Sequence, residues 1–341
     1  MSKRTLITGG AGFIGSNYVA RLLSRGEDVK VLDNLSRGGA ERNLSWLRET
    51  YGKDSFELIQ ADVRDAEAVR TAAQDVDVIV HLAAQVAVTT SVTDPRTDFE
   101  INALGTFNVM EAARASGRTP VVVYASTNKV YGGMEDVEVV EEETRYAYGT
   151  LPYGVSEQEP LDFHSPYGCS KGTGDQYVRD YARIYGLPTV VMRQSCIYGP
   201  RQFGIEDQGW VAWFIIATVL NRAMTIYGDG KQVRDLLYID DLLNAYDAAI
   251  QRIDTAAGQV YNLGGGMVNT ISVWKEFGPM LEELAGRDLP VRVGDWRPGD
   301  QKVYVSDIRR AKSQLNWSPD VSVQQGVQKL YDWVKQNQNL F

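Results

Sequence analysis

Histidine and cysteine are nearly absent: two of each in 341 residues. With only His81 and His164, and no Cys-x-x-Cys pair, a multi-ligand metal centre cannot be assembled, and no metal is expected. Cys169 and Cys196 are too few for a disulfide framework, which points to a reduced compartment and a cytoplasmic protein. No apolar run approaches the ~20 residues that span a bilayer, and Met1–Lys3 lead straight into a strand pattern, so neither membrane insertion nor a signal peptide is expected. Basic residues are outnumbered, 35 against 44 acidic, for a net charge of −9. That balance argues against nucleic acid as a partner, because phosphate backbones attract basic surfaces, yet a few local arginines could still grip a phosphorylated ligand. There are no internal repeats and no low-complexity tract.

What the chain does have is glycine in a telling place. The short apolar strand at 5–8 runs directly into Gly9-Gly10-Ala11-Gly12-Phe13-Ile14-Gly15, and an amphipathic stretch from Ser16 to Arg25 stops at Gly26. Strand, glycine turn and helix in that order form a dinucleotide-binding context. Gly9 serves the tight turn, Gly12 the close approach of backbone to a pyrophosphate, and Gly15 the packing of helix on strand. The helix N-terminus offers free N–H groups to phosphate. A second strand over 28–34 carries Asp33, whose carboxylate can accept hydrogen bonds from a ribose and repel a 2′-phosphate, favouring NAD over NADP; Arg37 is a counter-signal.

Further strands read at 55–63, 76–84, 120–126, 189–195 and 259–265, with helical patterns at about 65–73, 95–116 and 166–185. The alternation is that of an α/β protein: a Rossmann-type doubly wound parallel sheet, with a smaller C-terminal substrate-binding α/β domain. The character changes near Gln194, so the NAD-binding domain is drawn over 1–193 with about 234–265, and the substrate domain over 194–233 and 266–341. The acidic stretch Glu135–Glu143 reads as a solvated hairpin or a mobile loop within a long insertion.

Ligands of such sheets bind at the carboxyl ends of the strands. Strand four ends in His81-Leu82-Ala83-Ala84-Gln85, where small residues let a cofactor lie near the backbone and His81 reads as a core histidine. Strand five ends in Ser126-Thr127-Asn128-Lys129, and a hydroxyl there can share the proton of a reacting alcohol. Tyr167 and Lys171 lie four residues apart, hence on one helix face. A nearby ammonium favours the phenolate, making Tyr167 a base that could deprotonate an alcohol as hydride leaves the same carbon.

Taken together, the glycine turn, the Leu82-Ala83-Ala84 strand end, the Thr127/Tyr167-x-x-x-Lys171 set and Tyr198-Gly199-Pro200 resemble the extended short-chain dehydrogenases/reductases, specifically their nucleotide-sugar epimerases and dehydratases, over essentially the whole chain. The resemblance implies an NAD-dependent isomerase of carbohydrate metabolism acting on a nucleotide-diphosphate sugar. It assigns Thr127, Tyr167 and Lys171 to catalysis. It gives cofactor contacts to Gly9, Gly12, Phe13, Ile14, Gly15, Asp33, Asn34, Ser36, Arg37, Asp62, Val63, Leu82, Ala83, Ala84, Gln85 and Asn102, beside Tyr167 and Lys171. Substrate contacts fall on Gln85, Asn128, Lys129, His164, Gln194, Ser195, Arg201, Gln208, Arg234, Arg297 and Asp300, the two arginines gripping the diphosphate. Dehydratases of this family follow the catalytic threonine with Asp-Glu; Asn128-Lys129 here cannot supply that carboxylate, which leaves epimerisation. The motif runs most resemble the branch that inverts C2 of a CDP-hexose, although Gln194 stands where that branch would have histidine; a UDP-sugar 4-epimerase is the alternative. A homodimer, or a tetramer built from one, is implied through the helices near 95–116 and 166–185.

Overall fold

The computed structural model describes residues 3–297 and 300–341. Packing divides the chain into two compact units, Met1–Val130 with Ser165–Arg193 and Ala245–Tyr261, and Tyr131–His164 with Gln194–Asn244 and Asn262–Phe341. The insertion 131–164, which sequence placed in the first domain, groups with the second unit, as do 234–244.

The first unit is built on a seven-stranded sheet. Its strands β1 (Arg4–Thr8), β2 (Asp28–Leu32), β3 (Glu57–Ile59), β4 (Val78–His81) and β5 (Val121–Thr127) are followed by Thr189–Gln194 and Gln259–Leu263. The order across the sheet is Gln259–Leu263, Thr189–Gln194, β5, β4, β1, β2, β3. Pairings β1–β2, β1–β4, β2–β3 and β4–β5 are all parallel. Strands covered on both faces must be apolar throughout, and Leu6, Ile7, Val31, Leu32, Ile79 and Val80 are each fully buried. The order reverses direction between β1 and β4, so the crevice at their carboxyl ends is the natural ligand site of this Rossmann-type fold.

All seven expected strands are present, and the helical expectations fall on Phe13–Ser24, Ala66–Ala72 and Pro166–Tyr185. The stretch expected as one helix over 95–116 is interrupted: Pro95–Phe99, a π-helical turn Glu100–Leu104, then Gly105–Ala115. Asn102 occupies that turn, its side chain drawn onto the backbone of Gln85. The helix Ala40–Tyr51 escaped the sequence reading because it is polar on most of its surface and buries only Ala40, Asn43, Leu44 and Leu47.

The second unit carries a three-stranded sheet in which Val233–Asp235 pairs antiparallel with Thr270–Ser272 and parallel with Val303–Tyr304. A parallel pair joins Met224–Tyr227 to Val291–Gly294. The acidic insertion is a hairpin, Val139–Glu141 against Tyr146–Tyr148. A knot of aromatic rings, Trp210, Phe214, Trp274 and Phe277, packs edge to face at 5.3–5.8 Å. Helix Val323–Gln336 opens on a reciprocal capping box between Ser322 and Gln325.

One buried ion pair locks Pro166–Tyr185 to the sheet. Arg193 donates from Nε and Nη2 to the two oxygens of Asp175, each at 2.9 Å, and neither residue is more than 1% exposed. Ser126 at the end of β5 donates to the same carboxylate at 2.7 Å. Removing one member of such a pair strands a charge in the interior. Arg193→Leu should therefore cost about 3–5 kcal/mol of unfolding free energy in urea titrations.

Candidate active site

The glycine turn lies against the end of β4. A Cβ on Gly15 would sit 2.1 Å from the Gly9 carbonyl oxygen, and one on Gly9 would sit 2.7 Å from the Ala83 nitrogen, at φ +72°. Glycine is thus obligatory at both places, one for helix-on-strand packing and one for the turn's approach to Leu82–Ala83. Gly12 is the N-cap of Phe13–Ser24, without a side-chain cap and without an acidic residue in the first turn. The leading amides of Phe13, Ile14 and Gly15 and the positive helix end are therefore left for an anion, and the turn fits a dinucleotide pyrophosphate.

Asp33 is buried at the end of β2, and burial raises its pKa, while the amides of Leu35 and Ala11 favour its charged form. Those amides donate at 2.8 and 2.9 Å, fixing the carboxylate's orientation. Asp62 receives Arg64 Nε and Nη2 at 2.9 Å each and the Asn34 amide at 2.8 Å; the Arg64 bonds foremost hold its pKa down, to about 2. Ser36 donates to Asn34 Oδ1 at 2.7 Å. Asn34, Ser36 and Arg37 are exposed, Val63 is buried, and Leu82, Ala83, Ala84 and Gln85 are half-buried along the strand end. Asn102 accepts from the Gln85 amide at 2.9 Å and donates to its carbonyl at 3.0 Å, so its side chain is spent on holding that strand end.

The three residues expected to be catalytic come together within the first unit. Pro166–Tyr185 begins at Ser165, whose side chain accepts from the Gly168 amide, with Pro166 at its first position. Tyr167 and Lys171 project from its first turns and are 8% and 4% exposed. Thr127, at the tip of β5, accepts from the Lys129 amide at 3.2 Å and donates to Asn128 Oδ1 at 3.3 Å.

The electrostatics differ from the sequence expectation. Burial pushes the Tyr167 phenol up, to about 12, against a hydrogen bond with Thr127 and the Arg37 charge, both of which favour the phenolate; Asp98 opposes it. Burial drives Lys171 down, to about 7, with Asp175 and Asp98 as its counter-charges. Desolvation outweighs charge attraction at both groups. Lys171 lies over the ring of Tyr124, 4.3 Å from its centroid.

Behind the set stands a polar layer that sequence reading missed. Asp98 accepts from Ser170 at 2.5 Å and from Asn102 at 3.1 Å. His81 is a core histidine as expected, between Thr8 (2.6 Å) and Thr106 (3.1 Å), and burial pushes it down to about 3. Asp175 could have been found: it lies four residues beyond Lys171, on the same helix face.

Within the second unit, Arg234 donates to Asp300 at 2.7 Å and is 7% exposed. Arg297 donates to Asp207 at 3.1 Å and lies 4.0 Å over the Tyr227 ring. Of the motif Arg297-Pro298-Gly299-Asp300, Pro298 and Gly299 lie outside the described residues. Ser195 donates to buried Asp235 at 2.7 Å, a structural commitment, beside Gln194, itself buried. His164 pairs with Asp162 at 2.7 Å, and Arg201 lies 5.5 Å over the ring of Trp333. Gln208 Oε1 is buried with no hydrogen-bond partner, an acceptor available to a ligand. Among the described residues no group of three or more His, Cys, Asp or Glu is placed to hold a metal ion, and no helix is long and apolar enough to cross a membrane.

This fold and this Thr–Tyr–Lys set define an extended short-chain dehydrogenase/reductase of the epimerase/dehydratase class. The chain belongs to the family described as GDP-mannose 4,6 dehydratase, whose model matches residues 6–330. It is 46% identical over 337 residues to CDP-paratose 2-epimerase of Salmonella typhi, covering 97% of this chain and 98% of that one. Among solved structures it resembles UDP-glucose 4-epimerase of Thermotoga maritima with UDP-glucose (TM-score 0.84, 30% identity, 98% of this chain and 99% of that one). It also resembles UDP-glucuronic acid 4-epimerase of Bacillus cereus in complex with UDP-glucuronic acid and NAD (TM-score 0.82, 30% identity, 98% and 99%).

The depressed pKa of Lys171 has a consequence for stability. Unfolded lysine stays protonated to ~10.4, whereas the folded group releases its proton near 7. Below pH 7 the folded chain carries the full cost of a buried ammonium, and between about 7 and 10 that cost disappears as the unfolded state binds the extra proton. Lys171→Met should accordingly be most stable relative to the parent at pH 6–7 and lose that advantage by pH 10, read from paired denaturation curves.

Proposed function

We propose that the chain is an NAD-dependent epimerase that inverts C2 of a CDP-activated hexose, interconverting CDP-paratose and CDP-tyvelose. The observation that carries this reading is its near full-length similarity to a CDP-paratose 2-epimerase, in a chain whose own Thr127, Tyr167 and Lys171 are assembled.

The Gly9–Gly15 turn and the uncapped helix N-terminus take the pyrophosphate, Asp33 takes the adenosine ribose, and the Asn34–Asp62 pair flanks the adenine end. Leu82–Gln85 lies along the nicotinamide half, with Asn102 keeping that strand end in register. When bound, the cofactor supplies a hydride acceptor that returns the same hydrogen, and its oxidised ring adds a positive charge. Tyr167 takes the C2 hydroxyl proton and returns it, and Thr127 hydrogen-bonds the same oxygen. Positive charge close by offsets the burial that holds the Tyr167 phenol high. Lys171 orients the nicotinamide ribose. The 2-keto sugar turns and recovers hydrogen on its other face. Asn128 and Lys129 offer no carboxylate of the kind that elimination of water requires.

In the second unit, Arg234 and Arg297 grip the diphosphate, Asp300 and Asp207 holding them in place until substrate arrives. Gln208 contributes the buried free acceptor, and Gln194, Arg201 and His164 contact the sugar. A UDP-sugar 4-epimerase is the second reading, favoured by the UDP-sugar-bound structures that the chain resembles. The oligomer is a homodimer, formed by the apolar face that leaves Phe99, Tyr177, Ile184 and Tyr185 between 45 and 65% exposed.

Incubation with CDP- and UDP-hexoses, followed by NMR at H2 and H4, separates the readings: signal change should appear at H2 of the CDP-sugar. In D₂O the inverted carbon should carry no deuterium, and label there would reject the hydride relay. Tyr167→Phe should lower kcat by about 10²–10⁴-fold, and near-parental turnover would remove Tyr167 from its role. Ile184→Glu with Tyr185→Glu should convert the dimer to monomer in sedimentation velocity; a parent that already sediments as a monomer rejects the dimer.

A further inference from the structure

Tyr124, in the middle of the layer behind the catalytic set, belongs to none of the roles assigned above. It is fully buried on β5, and the Lys171 ammonium rests 4.3 Å from its ring centroid. Its hydroxyl donates to the Lys171 carbonyl oxygen at 3.2 Å, clasping the same residue at both ends. The carboxylates nearest that ammonium are engaged elsewhere: Asp98 with Ser170 and Asn102, Asp175 with Arg193 and Ser126. They act on Lys171 through space, and the aromatic face is what it lies against.

The surroundings of the ring are fitted to this contact. Gly174 on the catalytic helix faces Tyr124, and a Cβ there would meet the tyrosine oxygen at 2.4 Å and Cζ at 2.9 Å. Nothing larger than glycine lets the helix close on the ring. On β4, His81 packs beside the ring at 5.6 Å. Thr8 Oγ1 accepts the Leu82 and Ala83 amides, so its own proton goes to His81 Nδ1. Nε2–H then donates to Thr106, whose hydroxyl goes on to the Asn102 carbonyl. Burial first, and the Lys171 charge beside it, keep the imidazole neutral, so His81 does not compete as a cation for the ring's electron-rich face.

We propose that Tyr124 is a positioning residue for the reaction: its ring is the platform that keeps the Lys171 ammonium charged and in place, and Gly174 is the vacancy that lets the platform close. The charged and titratable groups around Lys171 are then Asp98, Asp175 with its partner Arg193, Tyr167 and neutral His81, with the ring facing it from β5. The inference rests on Lys171 serving the epimerase reaction, but its physical core is a property of the lysine alone.

The test replaces Tyr124 with Phe and with phenylalanines carrying progressively more ring fluorines, which keep the volume and drain the ring face. Lys171 is titrated by carbon-13 NMR of the lysine Cε in the NAD-loaded protein, with Lys171→Met assigning the signal; pH–rate profiles with the CDP-sugar run alongside. Tyr124→Phe should leave the Lys171 midpoint in place and kcat within about threefold, since the clasp through the hydroxyl is secondary. The most fluorinated ring should move the midpoint down by about one pH unit, matching a desolvated cation–π contact. The limb of the kcat profile should follow it, with KM unchanged. Gly174→Ala should show the same downward midpoint as it forces ring and helix apart. A midpoint indifferent to fluorination overturns the proposal, and so does a Phe variant as impaired as the fluorinated ones. If the parent turns over no sugar, the epimerase reading fails while the titration still decides the role of Tyr124.

Discussion

Lys171 is taken out of water together with Asp98 and Asp175, and much of the first unit is arranged to make that burial tolerable. An isolated ammonium in the interior would simply lose its proton. Here two carboxylates oppose that loss and an aromatic face lies beneath the charge. Each carboxylate is in turn anchored by a different element: Asp98 by Ser170 on the catalytic helix and Asn102 in the π-turn, Asp175 by Arg193 on the neighbouring strand and Ser126 on β5. The same bonds that compensate charge therefore fix the helix carrying Tyr167 against the strand carrying Thr127. The contacts that compensate charge thus also hold the proposed catalytic residues in register.

The parts of the site that depend on local geometry were legible in the sequence. A glycine turn between strand and helix announces itself, because Gly9 and Gly15 admit no side chain, and Tyr167 and Lys171 stand one helical turn apart whatever lies around them. The parallel strands were legible because burial on both faces demands an unbroken apolar run. What could not be read was long-range. Arg193 looks like an ordinary charged end to an apolar strand until Asp175 is placed against it, and Tyr124 is one aromatic residue among eighteen tyrosines until Lys171 lies over its ring. The break in the 95–116 helix was invisible for the same reason, since the Asn102 side chain in its π-turn bonds Gln85, seventeen residues earlier, and Ser170, far along the chain. The insertion 131–164 was assigned by its place in the sequence, whereas its packing is with the second unit.

The sign of the Tyr167 shift also shows how sequence reasoning fails at buried sites. Proximity of a cation predicts a lowered phenol pKa, yet burial raises it and simultaneously weakens the cation by lowering Lys171. The folded chain by itself is thus a poor base. On the proposed reading, added positive charge beside the phenol would work against that burial.

The residues that follow Thr127 bear on the proposed inversion. Once a sugar carbinol has been oxidised, the neighbouring C–H bonds become acidic, and any carboxylate within reach opens a route to elimination. At the tip of β5 the chain places an amide and an amide-anchored backbone instead: Asn128 shares the Thr127 proton at 3.3 Å and the Lys129 nitrogen fixes the same hydroxyl at 3.2 Å. Thr127 is thereby oriented by neutral groups. On the proposed reading, Asn128 and Lys129 withhold the carboxylate that elimination requires, which is how a chain matched by a dehydratase family model would serve as an epimerase.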